Sequence, residues 1–348
     1  MSQSARAVVI HKAKDLRIEP VPVGAVGSGD VLVRLERGGI CGSDLHYFHD
    51  GGIGTIRVRE PMVLGHEVSG KVAALGAGVT QLKIGDRVAL NPSRPCDQCK
   101  FCLEGKQMHC LDMVFYGSAM RFPHVQGAFR ELIVTRAAQC HVVPADVTAG
   151  EAAMCEPFAV CLHAVRRAGV VFGKRVLVTG CGPIGALCVI AARYAGAAEI
   201  VATDVTETPF KLVASLGANR CINVAAAGAE LAAYGADKGT FDVVLECSGN
   251  ERALVAALDV LRPQGVIVQV GLGGTFTLPI NTIVAKEIEL RGTFRFHEEF
   301  GLAATLIGAR RVDVRPLISA TMPVADALAA FELASDRAKS MKVQLAFG

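Results

Sequence analysis

Four cysteines lie close together in "CDQCKFCLEGKQMHC", a spacing that predicts a metal site. Two, two and seven residues separate Cys96, Cys99, Cys102 and Cys110, so one loop can place four thiolates around a tetrahedral ion. Because a closed thiolate site leaves no position for a substrate, we expect structural zinc there. The alternatives are unmetallated thiols or an iron–sulfur cluster, whose usual pattern has three residues before the last cysteine and a proline after it.

A second group has the composition of an open metal site. Cys41 is followed twenty-five residues later by His66 and Glu67, and nearby glycines allow tight turns close to an ion. Zinc held by three protein ligands keeps a fourth position, in which it can polarise an oxygen. We therefore expect a catalytic zinc at this group, and two zinc ions per chain in total.

A glycine-rich turn after the apolar run "RVLVT" predicts a dinucleotide site. "GCGPIG" completes the G-x-G-x-x-G fingerprint between a strand and a helix, whose N-terminus can hold a pyrophosphate. A second strand, "EIVATD", ends in an acid nineteen residues after the last glycine, where it can bind ribose hydroxyls. That acid would repel a 2′-phosphate and "VTETP" supplies no arginine, so we expect NAD(H) rather than NADP(H). The predicted cofactor-binding positions in these stretches are Gly180, Gly182, Pro183, Ile184, Gly185 and Asp204.

The elements that must position these motifs indicate an α/β chain with two kinds of domain. "RCINV", "FDVVLECSG", "GVIVQVG" and "EIELRGTF" add four strands, which completes a doubly wound Rossmann sheet of six. The first half of the chain has short strands, many glycines and turn signals, typical of a mainly antiparallel, barrel-like domain. We expect this catalytic domain at residues 1–154 and 293–348, with a zinc lobe at 91–112, and the NAD-binding domain at 155–292.

Composition argues against several classes of partner. The 348 residues are 51% hydrophobic, and the formal charge of +3 comes from basic residues scattered along the chain. Near the four cysteines only Phe101 could stack on a base, so we expect no nucleic acid partner. No apolar run has transmembrane length, so we expect no membrane partner and a cytoplasmic protein, in which the twelve cysteines stay reduced. The expected partner is a small molecule.

Together these motifs resemble the zinc-containing medium-chain dehydrogenase/reductase family over essentially the whole chain. The resemblance rests on "GHEVSGKVAALGAGVTQLKIGDRVAL", the four-cysteine lobe, the open metal group and the nucleotide fold. The polyol dehydrogenase branch is most similar, through "RGGICGSDLHYF", "FYGSAMRFPHVQGAF" and "RGTFRF". The resemblance implies a GroES-like catalytic domain beside the Rossmann domain, and hydride transfer from an alcohol to NAD assisted by zinc. It also implies a homo-oligomer, either a dimer or a tetramer.

The resemblance further implies roles for single residues. Cys41 and His66 match zinc ligands, and the third ligand stays open between Glu67 and Glu156. Ser43 matches the hydroxyl that receives the substrate proton, and His46 matches the relay to solvent. The remaining matches are Tyr47 and Arg295 for the substrate or the metal's water, and Val270, Gly271, Leu272 and Phe294 for the nicotinamide.

Two departures from the sorbitol dehydrogenase pattern bear on the substrate and the cofactor. Phe296 stands where a substrate-contacting tyrosine is usual, and Pro209 where an arginine near the adenosine ribose is usual. The first departure argues against sorbitol, and the second removes a contact that could have admitted NADP(H) or simply weakens NAD binding. The resemblance itself implies a sugar acid, whose carboxylate we expect a cation to hold, with Arg121 as first candidate. Weaker candidates are His124, Arg57 and Arg59. The alternatives are a polyol of the sorbitol or xylitol type, and a nucleotide-binding relative that has lost catalysis.

Overall fold

The computed structural model describes residues 3–348, which divide into two units. The first unit extends to Glu156 and resumes with Phe300–Gly348, and the second covers Pro157–Glu299. Among the helices of residues 3–348, none combines the length and the hydropathy that a membrane span needs.

The first unit begins with short strands, most of them antiparallel. These strands are β1 Ser4–Lys12, β2 Asp15–Pro22, β3 Asp30–Gly39, β4 Gly52–Ile53, β5 Ile56–Arg57, β6 Met62–Val63, β7 Glu67–Leu75, β8 Arg87–Leu90, β9 Ser93–Arg94, β10 Val114–Phe115, β11 Leu132–Arg136 and β12 Cys140–Val142. The helices of this part are α1 Gly42–Asp50, α2 Lys100–Leu103 and α3 Ala149–Ala153. Helix α4 Cys155–Ala168 follows and crosses the boundary in the chain.

The second unit contains a six-stranded sheet in which every neighbouring pair is parallel. Its strands are β13 Arg175–Thr179, β14 Glu199–Asp204, β15 Arg220–Asn223, β16 Phe241–Glu246, β17 Leu261–Gln269 and β18 Glu289–Gly292. Its further helices are α5 Pro183–Tyr194, α6 Phe210–Ser215, α7 Gly228–Ala232, α8 Glu251–Val260 and α9 Ile280–Lys286. The spatial order β15-β14-β13-β16-β17-β18 is that of a doubly wound dinucleotide-binding sheet, so the predicted Rossmann fold is confirmed.

The last part of the chain completes the first unit. It contains α10 Glu299–Gly308, β19 Ile318–Pro323, α11 Ala327–Ser335 and β20 Lys342–Ala346. The main sheet has the order β12-β8-β7-β3-β20-β19, and β11 also pairs with β3. All its pairs are antiparallel except β19 with β20, so the predicted, mainly antiparallel domain is confirmed. Strand β3 thereby joins the N-terminal strands to the C-terminal β20.

Close packing around Phe129 fixes the backbone just before β7. The Phe129 ring is fully buried, and a Cβ on Gly65 would lie 2.0 Å from its Cδ1 atom. Gly65 also has φ +90°, a conformation that side chains other than glycine rarely adopt. Glycine at this position therefore lets the core approach the chain directly beside His66.

Candidate active site and metal centres

The glycine-rich turn joins β13 to α5. Gly180 follows β13 with φ +81°, and a Cβ on Gly185 would lie 1.8 Å from the carbonyl oxygen of Gly180. Both positions therefore require glycine. At Gly182, the residue before α5, a Cβ would meet no atom within 4 Å. This open space at a helix N-terminus, with Pro183 and Ile184 in the first turn, fits a pyrophosphate.

Asp204 ends β14 and braces the glycine-rich turn. Its Oδ2 atom accepts a hydrogen bond from the backbone N–H of Cys181 at 2.8 Å, and Oδ1 accepts one from Thr206 N–H at 3.1 Å. Asp204 therefore lies at the carboxyl end of β14, the end of the strands at which dinucleotides bind in this fold.

The segment after β17 packs closely against the end of β16. The N–H groups of Val270 and Gly271 both donate to the carbonyl oxygen of Glu246 at 2.8 Å, and Leu272 is exposed. A Cβ on Gly271 would lie 2.2 Å from the backbone nitrogen of Gly249. In a doubly wound sheet the two halves of a dinucleotide lie on either side of the first strand. Asp204 follows β14 and this segment follows β17, so the two lie on opposite sides of the first strand, β13.

In the first unit, Cys41, His66 and Glu67 come together. Cys41 immediately precedes α1, and His66 and Glu67 lie at the start of β7. Each offers one ligand atom, and these atoms lie within 4.8 Å of one another. A Cβ on Gly39 would lie 2.2 Å from the Oε2 atom of Glu67, so the facing strand β3 needs glycine there. The three residues that the sequence motif singled out therefore lie close enough together to bind one metal ion.

Buried acids crowd this group. Burial and the charge of Glu67 raise the pKa of the Cys41 thiol to about 12, and burial raises the pKa of Glu156 to about 8. Burial also raises the pKa of Asp44. A divalent cation would supply the positive charge that stabilises these groups in their ionised form, so the residues fit a bound metal ion.

Asp44 lies behind His66 and was missed by sequence reasoning. Its carboxylate is completely buried, accepts hydrogen bonds from the N–H groups of Cys41 and Gly65, and lies 3.9 Å from the His66 Nδ1 atom. Within the described chain, that Nδ1 atom is buried without a hydrogen-bond partner. A carboxylate behind a metal-binding histidine fixes the ring and leaves Nε2 for the ion. The available signal was an acid in the first turn of α1, three residues after Cys41.

Two glutamates lie near the group, and their partners differ. Both oxygens of Glu67 lie 2.8 Å from the Nζ atom of Lys342, a buried lysine that sequence reasoning also missed. Glu156 is buried in α4 and interacts electrostatically with His66, Glu67 and Cys41. The ligand group found in residues 3–348 contains Glu67 and not Glu156.

The four cysteines of the lobe also converge. Their sulfur atoms lie within 4.8 Å of one another, and Cys99 Sγ lies 3.6 Å from Cys102 Sγ. The N–H of Cys96 donates to Cys110 Sγ at 3.1 Å. Backbone N–H groups of Leu111 and Cys102 lower the pKa of the Cys99 thiol to about 6, whereas burial raises the pKa values of Cys102 and Cys110, which a bound cation would offset. Thiolates in this arrangement fit a tetrahedral zinc ion.

Helix α1 carries three further predicted residues. Ser43 is half-buried and hydrogen-bonds to the Cys41 thiol, whereas His46 is exposed with its Nδ1 atom 3.2 Å from Asp50 Oδ2. Tyr47 is buried, and its hydroxyl oxygen accepts a hydrogen bond from Ala119 N–H at 3.1 Å. The first two residues thus lead from the metal group toward solvent.

Two of the predicted carboxylate-binding residues, Arg121 and His124, already have partners. Arg121 pairs with Asp112 at 2.8 Å, so a substrate carboxylate would have to replace Asp112. His124 accepts a hydrogen bond from Arg59 N–H at Nε2 and donates from Nδ1 to the Arg121 carbonyl oxygen, which requires the neutral ring. His124 therefore does not offer a positive charge in this state.

Three predicted residues follow β18 in the second unit. Phe294 is partly exposed, and the Arg295 guanidinium lies 4.9 Å from its ring centroid. Arg295 has φ +53°, which is uncommon outside glycine. Phe296 is buried.

Comparison with known proteins gives two family matches and close relatives. Residues 27–145 match the alcohol dehydrogenase GroES-like domain, and residues 183–308 match the zinc-binding dehydrogenase family. The chain is 44% identical to L-idonate 5-dehydrogenase (NAD(P)(+)) of Escherichia coli K12 over 91% of each chain. It is 38% identical to sorbitol dehydrogenase of Gallus gallus, covering 97% of this chain and 95% of the relative.

A solved structure agrees with these relatives. The crystal structure of L-idonate 5-dehydrogenase from Escherichia coli K-12 superposes with a TM-score of 0.96 at 41% identity, covering 99% of both chains. The chain belongs to the zinc-dependent medium-chain alcohol dehydrogenase family. The family resemblance and the oxidoreductase class expected from the sequence are thereby confirmed.

Proposed function

We propose that this protein oxidises the C5 hydroxyl of L-idonate to give 5-keto-D-gluconate, with NAD+ as the hydride acceptor. The supporting observation is the likeness, over nearly the whole chain, to a relative named for that reaction. The reaction balances when the C5 hydrogen leaves as hydride to NAD+ and the hydroxyl proton leaves to solvent. Its products are the ketone, NADH and a proton.

Cys41, His66 and one carboxylate would hold the catalytic zinc. When bound, zinc supplies the Lewis acidity that polarises a hydroxyl oxygen. The third ligand is Glu67 or Glu156: Glu67 lies in the ligand group but has both oxygens engaged by Lys342, whereas Glu156 lies outside that group. Zinc contents of Glu156→Gln and Glu67→Gln separate the two assignments, since only loss of the true ligand should empty the site.

Ser43 and His46 would carry the proton to solvent. The Ser43 hydroxyl lies beside the Cys41 thiol, and His46 lies at the exposed surface of the same helix. Loss of a proton relay should lower kcat more at low pH, where the alcohol proton is harder to release. We assign the carboxyl end of the substrate to Arg121 and propose that Tyr47 and Arg295 also contact it.

A second zinc would be structural, held by Cys96, Cys99, Cys102 and Cys110. We further propose that NAD binds along Gly180–Gly185, with Asp204 at the adenosine ribose and Val270–Leu272 and Phe294 at the nicotinamide. The protein would act in the cytoplasm, where thiols stay reduced.

We also propose a homo-oligomer, either a dimer or a tetramer. Strand β18 ends the order of the six-stranded sheet, and Leu290 on it is partly exposed. Such an edge can pair with a second copy. Light scattering of the purified protein measures the assembly directly.

A panel of substrates tests the proposed reaction. NADH formation is measured for L-idonate, D-gluconate, sorbitol, xylitol and L-threonine, with kcat/KM for each. We expect L-idonate to be preferred, and we expect Arg121→Gln to raise KM for L-idonate but not for sorbitol. A polyol dehydrogenase, which the 38% identity to sorbitol dehydrogenase favours, would instead show sorbitol or xylitol first.

A further inference from the structure

A carboxylate is buried at the carboxyl end of β16. Glu246 is completely buried and accepts five hydrogen bonds from neutral donors. Oε1 accepts from the Thr179 hydroxyl at 3.0 Å and from the Ser248 N–H and hydroxyl. Oε2 accepts from Gly249 N–H at 3.0 Å and from the Gln269 side-chain amide. The backbone N–H groups of Ser248 and Gly249 can only donate, and they bind one oxygen each, an arrangement that favours the ionised carboxylate and so a buried negative charge.

The position of Glu246 in the sheet indicates which half of a bound dinucleotide its charge can affect. Glu246 ends β16, the strand next to β13, on the side opposite to β14 and Asp204. Its carbonyl oxygen accepts hydrogen bonds from the N–H groups of Val270 and Gly271, and its carboxylate accepts one from Gly249 N–H. A dinucleotide on this fold places its adenosine over β14 and its nicotinamide over β16 to β18. The buried charge therefore lies under the nicotinamide half.

We propose that Glu246 raises the affinity for NAD+ relative to the affinity for NADH by attracting the positive charge of the oxidised ring; this inference rests on the proposed use of NAD. The oxidised ring is a cation, and it becomes neutral when a hydride with its electron pair arrives from the substrate carbon. In a low-dielectric interior, a carboxylate stabilises the cation over the neutral ring without touching it. Glu246 would thereby weaken NADH binding relative to NAD+ and favour release of the reduced product.

The inference is tested by binding measurements on the zinc-loaded protein with three nucleotides. Dissociation constants are measured for NAD+, NADH and ADP-ribose, which has no nicotinamide, using the native protein and Glu246→Gln. We expect the NADH-to-NAD+ ratio of dissociation constants to fall about tenfold in the variant, which corresponds to about 30 mV in the two-electron potential of the bound couple. ADP-ribose reports any damage to the glycine-rich turn.

Two further variants separate charge from structure. Thr179→Val removes one hydrogen bond to Glu246 but keeps the charge, so it should change both dissociation constants by the same factor. Gln269→Lys places a cation beside Glu246 and should also lower the NADH-to-NAD+ ratio of dissociation constants. This variant keeps the inference testable if Glu246→Gln does not fold. An unchanged ratio in Gln269→Lys and in any folded Glu246→Gln overturns the inference. A native protein that binds ADP-ribose but neither NAD+ nor NADH would instead overturn the proposed function.

Discussion

The Nζ atom of Lys342 lies 2.8 Å from both carboxylate oxygens of Glu67, and both side chains are almost completely buried. Burial alone would lower the pKa of Lys342, but the charge and the hydrogen bonds of Glu67 outweigh it and raise that pKa. The lysine is therefore charged and neutralises Glu67. Strand β20 thus supplies a cation to the metal group on β7, from 275 residues further along the chain.

Removing this lysine should destabilise the metal-free protein most. In Lys342→Met the Glu67 carboxylate is buried without a counter-charge. Removing one partner of a buried ion pair lowers the free energy of unfolding by about 3–5 kcal/mol. A bound zinc ion can supply the missing charge, so the loss should be smaller in the zinc-loaded protein. Denaturant unfolding before and after chelation measures both values. Lys339→Met is the matched control, since Lys339 is exposed and pairs with Asp336 at the surface. Equal losses with and without zinc would contradict this role.

The four-cysteine lobe should hold one zinc that serves folding. We expect Cys99→Ser to lower the zinc content by one per chain and to reduce the melting temperature. The reason is that the free energy of zinc binding in such a lobe contributes to the free energy of folding. Metal analysis and thermal unfolding check both effects. Cys140→Ser is the control, because this partly buried thiol lies outside both ligand groups. Full zinc content and unchanged melting in Cys99→Ser would show that the lobe is not a structural zinc site.

Cofactor choice should depend on the charge of Asp204. Asp204→Asn keeps an oxygen that can accept from Cys181 N–H but removes the charge that repels a 2′-phosphate. We expect the ratio of kcat/KM for NAD+ over NADP+ to be at least about tenfold in the native protein, or about 1.4 kcal/mol, and to shrink in the variant. Steady-state kinetics with both cofactors measure this ratio. Equal use of both cofactors by the native protein would contradict the assignment.

Glu299 should make stability depend on pH. Although burial opposes ionisation, hydrogen bonds from His163 and from His297 N–H lower the pKa of Glu299 to about 2, below its ordinary value of 4.5. Because the folded-state pKa is the lower one, Glu299 stabilises the fold above pH 4.5 and loses this contribution as pH falls toward 2. The gap in unfolding free energy between native protein and Glu299→Gln should therefore be constant near neutral pH and narrow below pH 4.5. A gap that widens on acidification would refute this assignment.

Local motifs predicted much of the fold and the site. Six strands could be identified because each is a short apolar run bounded by turn residues, and the glycine fingerprint placed α5. The apolar pattern of "ERALVAALDVLRP" suggested one helix, but α8 ends at Val260 and Leu261 begins β17. An apolar run fits a buried helix and a buried strand equally well, so periodicity does not locate this boundary.

The partners of the site residues were not predictable in the same way. Glu246 meets Thr179 and Gln269 only because strands distant in sequence become neighbours in a sheet. Lys342 on β20 meets Glu67 on β7 only because both strands pair with β3 between them. A buried lysine in "SMKVQLAF" gives no local sign of a carboxylate partner. Asp44 is different, because its position in the first turn of α1 could have been recognised from the sequence.

The most direct test of the account is His66→Ala, measured for zinc content, NAD+ affinity and turnover on the best substrate of the panel. We predict one zinc lost per chain, NAD+ affinity nearly unchanged, and kcat/KM lower by about 10³-fold or more, because the group that polarises the alcohol is gone. Turnover that survives in a variant lacking that zinc would contradict the catalytic role of the Cys41 and His66 group.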